Sequence, residues 1–142
     1  MKTLLKRLLA DRVGNTLVEF AILAPALLTA AFGVFQVGAW VQNYNAIRNV
    51  AMDSARFAAV EYQRGNEITN AEIEQQLRAR AVSDAYNLTD ERLTITVNDA
   101  TTRITGVKEL DVDISYAAPD WLANVNVSAL TLTYSRPIFL PI

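Results

Sequence analysis

GNTLVEFAILAPALLTAAFGVFQVGAW, Gly14 to Trp40, decides how the rest of the chain is read. From Phe20 to Trp40 there is no charged side chain, and none follows until Arg48. As a helix rising 1.5 Å per residue, the uncharged block covers roughly 32 Å, enough for a hydrocarbon core of about 30 Å. Inside lipid a helix satisfies its own backbone polar groups, which an irregular segment cannot do. Trp40 and Tyr44 stand at the far end, where interfacial aromatics belong. Pro25 lies near the start and is read as a local shape element, because neighbouring groups in a membrane helix repair the missing bond. Gly33 and Gly38 are five apart and so make no GxxxG packing face.

The residues before the block set its orientation. Lys2, Lys6, Arg7 and Arg12 against Asp11 give residues 1–14 a charge of +3, within a whole-chain charge of −2. Basic residues on the near side predict a cytoplasmic N-terminus and a body on the outer side of the inner membrane. A secretory signal would have an apolar core of about 7–15 residues and a small-residue cut site after it. Here the core is longer, and NYNAIRNVAMDSARFAA continues a helical pattern after it. A plain signal-anchor helix remains an alternative.

Glu19 sits at the polar border of the apolar block, and an ionisable group there marks function by default. Cleavage after Gly14 would leave a new α-amine on Asn15, positive near neutral pH. That amine lies about one helical turn from Glu19 in the same chain. Between neighbouring chains, Glu19 of one and the amine of the next are oppositely charged and suited to fix an axial stagger.

Composition excludes several chemistries. With no cysteine and no histidine there is no thiolate zinc site, no cysteine nucleophile and no Ser-His-Asp arrangement. A basic head on an acidic body argues against nucleic-acid binding, which needs a basic patch on the folded part. Asp111 and Asp113 share one side of an alternating segment and read as a solvated face, with a carboxylate or metal site as the alternative. Asp84, Asp90 and Glu91 cluster without a recognisable calcium loop. No catalytic residue, metal or cofactor is expected.

Basic leader, Gly14, Asn15-Thr-Leu-Val-Glu19-Phe20 and a long apolar helix together resemble the class III signal of type IV pilin-like proteins. VEFAILAPALL with Pro25, and AMDSARFAA at residues 51–59, are similar to TadE-like proteins of the tight-adherence (Tad, or Flp) pilus system. The resemblance covers about residues 7–60. It implies a minor pilin or pseudopilin, cut after Gly14 by a membrane prepilin peptidase and assembled into or priming a pilus used for adhesion or secretion. It implies Gly14 and Asn15 as processing residues, Glu19 and Phe20 as assembly residues, and Pro25 and Trp40 as membrane-helix residues. Its partners would be the peptidase, other pilin subunits, the inner-membrane platform and the lipid bilayer, with no nucleic acid. Two departures are Asn15 after the cut, where many type IV pilins have phenylalanine, and Gln36, where longer ones often place a second proline. The alternatives are a type II secretion pseudopilin and an unprocessed bitopic protein with an outer binding domain.

Beyond the block, Trp40, Tyr44, Ile47, Ala51, Ala55, Ala58 and Tyr62 follow spacings of three and four, one face of a helix ending at Arg64-Gly65-Asn66. Thr69-Asn-Ala-Glu72 reads as a capping box opening a second helix to about Tyr86, with Ile73, Leu77 and Ala81 inward. The period then changes to two at Leu93–Val97, Leu110–Tyr116, Val125–Val127 and Leu130–Tyr134, which predicts antiparallel strands. Asn98-Asp99 and Thr105-Gly106 read as turns with a possible short strand between them, and Pro137 and Pro141 as the stop of the last strand. Trp121 reads as a loop aromatic, either an exposed contact or a plug under the loop. The apolar tail Ile138, Phe139, Leu140 and Ile142 reads as a partner surface or a flap over the sheet. The expected organisation is a leader at 1–14, a transmembrane and continuing helix at 15–64, and an extracytoplasmic domain at 65–142. The fold class is α+β: a long N-terminal helix, a second helix and a small antiparallel sheet of three to four strands.

Overall fold

Helix α1 runs unbroken from Arg12 to Gln63, carrying Pro25 inside it. The computed structural model describes residues 12–121 and 130–141, with side chains from residue 16 onward. The chain divides into two compact units, Met1–Val37 and Gly38–Ile142.

In the first unit almost every described side chain of α1 faces outward, on all sides. Leu17, Phe20, Ile22, Leu27, Phe32 and Phe35 are each more than half exposed. A helix apolar all round needs an apolar surrounding, either lipid or neighbouring helices. Pro25 leaves an unmade bond one turn back, yet the helix passes through it. The Thr29 hydroxyl donates to the Pro25 carbonyl at 2.8 Å, so this polar side chain enters the apolar stretch with its donor satisfied.

The second unit is an α+β body. The C-terminal part of α1 buries Ile47, Ala51 and Ala58 of the expected stripe together with Ala46 and Val50, which the spacing does not mark, while Tyr44 is exposed. Its end is a Schellman closure: Gly65 takes φ +80°, Asn66 N–H donates to the Glu61 carbonyl and Gly65 N–H to the Tyr62 carbonyl. Helix α2, Asn70–Val82, opens with the expected capping box, Thr69 and Glu72 bonding each other's backbone N–H. It stops short of Tyr86, because Ser83 turns extended and donates from both N–H and hydroxyl to the Arg80 carbonyl.

Three strands follow a short 3-10 turn at Asp90–Arg92: β1 Leu93–Ala100, β2 Val107–Ala117 and β3 Thr131–Pro141. They pair antiparallel in the order β1-β2-β3. Leu93, Ile95 and Val97 of β1, Leu110, Val112, Ile114 and Tyr116 of β2, and Leu132, Ile138 and Leu140 of β3 are buried. They share one core with α1 and α2, centred on the helix-facing side of the sheet.

Several local expectations give way. Asn98 and Asp99 lie inside β1, paired with Asp111 and Leu110, because Asp99 has partners there: Lys108 at 3.2 Å and the Asn70 amide. The short strand between the two turns does not form, and the turn falls at Gly106, with φ +79°. Pro137 and Pro141 do not stop the last strand. They lie within β3 opposite Asp111 and Val107, on a strand with a single partner among the described residues, where a missing N–H is tolerated. The tail is therefore a strand of the sheet, with Ile138 and Leu140 buried and Phe139 turned out. Val125–Val127 and Ile142 lie outside the described residues.

Candidate membrane and assembly segment

Gly14 and Asn15 fall in the first turn of α1, and Glu19 follows one turn later on the same uninterrupted helix. Glu19 and Phe20 are both exposed. Helix periodicity places residues i and i+4 on one face, so position 15 and the Glu19 side chain share a face of α1. Apolar side chains stand before Glu19 at Leu17 and Val18, and from Phe20 through Val37 they surround the helix. Thr16–Gln63 contains the one stretch among the described residues long and apolar enough to cross a membrane.

Pro25 stands inside this segment, and its carbonyl accepts from the Thr29 hydroxyl. Trp40 belongs to the second unit, where it is half-buried against the core of the body. Its indole Nε1 is buried and finds no acceptor among the described residues. Tyr44, the second aromatic of the pair, meets Tyr134 of β3 edge to face, ring centroids 6.3 Å apart at 81°. The sequence pattern marked both aromatics, but the ring contact of Tyr44 depends on a strand that lies far along the chain.

The body holds polar contacts that the sequence did not signal. Asp53 on α1 accepts from the Tyr86 hydroxyl at 2.9 Å and pairs with Arg80 at 3.2 Å, tying α1 to α2 and to the segment after it. Burial pushes the Tyr86 phenol above its usual range, with the Asp53 carboxylate adding to the shift. Glu74 of α2 accepts the Val97 N–H at 2.7 Å, capping an outward donor of strand β1. Glu109, covered on the sheet, receives the backbone N–H and guanidinium of Arg103, which hold its carboxyl below the usual range. These pairs are structural, and none lies beside Glu19 in the chain.

Asp111 and Asp113 point to the outer side of the sheet, Asp113 exposed and Asp111 half-buried. Among the described residues no group of three or more acidic side chains is arranged to hold a metal ion. Asp90, from the other acidic cluster, pairs instead with Arg78. Trp121 is 55% exposed, so it is not a plug under its loop.

Residues 14–56 match a family model described as TadE-like protein. The matched stretch starts at Gly14, takes in the whole exposed apolar helix and ends among the α1 residues that pack into the body. The match covers less than a third of the chain and marks that stretch of α1 as similar to the family. Comparisons with curated proteins and with solved structures return no match.

Proposed function

We propose that this chain is a minor pilin of a Tad-type pilus, cut after Gly14 by a prepilin peptidase and assembled through the helix that the cut exposes. The observation that carries the reading is positional. The TadE-like match begins at Gly14, and five residues later Glu19 borders a helix whose apolar side chains face outward on every side. Before assembly that surface suits a bilayer, and in a filament it suits the same helices of neighbouring subunits. In either setting a carboxylate at the border of an apolar span favours an opposite charge nearby. The amine freed on Asn15 is the complementary charge, supplied by cutting itself, and Phe20 opens the uncharged run that follows Glu19. The peptidase, other pilin subunits and the inner-membrane platform are the partners in this reading. The N-terminus lies in the cytoplasm and the body outside.

The Gly14–Asn15 bond lies in the first turn of α1. Helix ends fray, so opening that turn for a peptidase costs little compared with unwinding the interior. N-terminal sequencing of protein from cells that carry the peptidase tests the proposal. Asn15 as the first residue is expected. Met1 as the first residue in those cells sinks the processing step and leaves an unprocessed bitopic anchor as the better account. Glu19→Ala is expected to be cut normally but to drop out of the sheared pilus fraction.

A further inference from the structure

Most basic side chains of the body are committed within the chain. Arg64 pairs with Glu61, Arg78 with Asp90, Arg80 with Asp53, Arg103 with Glu109 and Lys108 with Asp99. The side chains of Arg48, Arg56, Arg92 and Arg136 have neither an ion pair nor a hydrogen bond among the described residues, and of these Arg48 and Arg56 stand exposed on one helix, α1. At 100° per residue, the buried Ile47, Val50, Ala51 and Ala58 define the inward face of α1. Arg56 lies opposite that face and Arg48 on its flank. The outward positions between them, Asn49 and Met52, carry no acid.

The other side of the body is the reverse. On the outer face of the sheet the register aligns Thr96, Asp113 and Ser135 in one row, and Asn98, Asp111 and Pro137 in the next. Asp113 has no ion pair or side-chain hydrogen bond among the described residues, Asp111 feels Arg103 only at longer range while Arg103 is bonded to Glu109, and no basic residue stands in these rows. The inner faces of α1 and of the sheet share one core, so their outer faces point away from each other.

We propose that these two faces dock on each other between copies of the chain, Arg48 and Arg56 of one copy against Asp111 and Asp113 of the next. The inference rests on the assembly reading above. The faces lie on opposite sides of the body, so one chain cannot satisfy both internally, and a two-fold dimer would bring like against like. The contact is therefore head-to-tail, the kind that propagates as an open array. The arginines are eight residues apart on a helix, about 12 Å, and the aspartates two apart on a strand, about 7 Å. Flexible guanidinium arms bridge that difference. Exposed ion pairs are individually weak. The contact orients copies that the membrane helix has already concentrated, where a second attachment is effectively intramolecular.

The chain has no cysteine, so the test needs no background removal. Asn49→Cys marks the helix face and Ser135→Cys the sheet face, both at exposed positions. With full-length chains in their native membrane and mild oxidant, the double variant is expected to give a ladder of multimers. The two single variants expressed together should stop at dimers, and each alone should stay monomeric. R48E/R56E is expected to cut the yield at least tenfold, and adding D111K/D113K to the same chain to restore it. Restoration shows that the loss came from charge and not from misfolding. Cross-links between two copies of position 49, or of position 135, overturn the proposal. So does a ladder unchanged by charge reversal, no ladder at all, or a reversal that lowers membrane retention alone and marks the arginines as lipid contacts. Reading the N-terminus and the sheared fraction of the same cells separates the two ideas. A chain cut at Asn15 and found in the sheared fraction without a ladder sinks this inference alone. A ladder of uncut chains absent from that fraction sinks the pilin reading alone.

Discussion

Leu110→Ala separates the two units of the chain. Leu110 lies on the central strand between Asp99 of β1 and Ile138 of β3, and it is fully buried. The substitution removes three buried carbons, about 2.4 kcal/mol at about 0.8 kcal/mol each. The hole left between two paired strands cannot close by a side-chain shift alone and adds on the order of 1 kcal/mol, so about 3–4 kcal/mol is expected in total. For a body of this size each kcal/mol moves the midpoint by roughly 4–8 °C, so Tm should fall by about 12–30 °C. Near-UV circular dichroism of the full chain in micelles reports the transition through Tyr116 and Trp121. Cutting at Gly14 is expected to proceed at the wild-type rate below the lowered midpoint, because that segment belongs to the other unit. A Tm loss under 5 °C would show that Leu110 is not held in a packed core. Slowed cutting at a temperature where the body is still folded would refute the independence of the two units.

Three further outcomes are expected. Gly65→Ala should cost about 1–2 kcal/mol in urea unfolding: the position holds φ +80° in open space, so the penalty is backbone strain alone. Thr69→Ala should lose about 1 kcal/mol of helix capping. The hydrogen bonds from Thr69 hold the Glu72 carboxyl below its usual range, so their contribution is present above the unfolded carboxylate pKa and is lost as pH falls through the depressed folded value. The gap between wild type and Thr69→Ala should therefore narrow as unfolding is measured at progressively lower pH. Asp53→Asn should bring the Tyr86 phenol back toward its ordinary range without fully restoring it, since burial is the larger cause. Ultraviolet titration of the phenolate reads that shift, and an unchanged titration would remove Asp53 as a partner.

The elements that the sequence displayed are those whose signals are local. The Thr69–Glu72 box and the Gly65 stop depend on residues within one turn, and both formed as expected. Alternation placed Leu93–Val97 and Leu110–Tyr116 correctly because a sheet with one buried face imposes period two. The misses share a different cause. Asn98-Asp99 is a turn signal on its own, but distant partners at Asn70 and Lys108 hold it in a strand. Pro137 is a stop signal on its own, but β3 has a single partner strand among the described residues, and that removes the penalty. The Glu74 cap on β1 and the Asp53 hub needed the tertiary arrangement before they had any meaning. In the candidate segment the uncharged run was legible because length and composition along one helix are local properties.

That same helix carries a record of two environments in its periodicity. Through Val37 its large apolar residues fall at every angle, including the neighbouring pairs Ile22-Leu23, Leu27-Leu28 and Val34-Phe35, and all six are exposed. A globular core cannot receive a helix on all sides at once, whereas a bilayer or a bundle of identical helices can. From Ile47 the apolar positions narrow to a single stripe, with small residues at Ala51, Ser54 and Ala58 that let the sheet and α2 approach. Charge returns at Arg48, on the first turn of that stripe. The change of pattern, with no helix break, is what makes α1 both an apolar rod and the backbone of the body. An Arg placed inside the run, as in Leu28→Arg, should therefore cost membrane insertion roughly 2.5–3.5 kcal/mol and leave the body's unfolding curve unchanged. Alkaline extraction measures the first effect and urea unfolding the second. A body destabilised by that substitution would show that the two patterns are not independent.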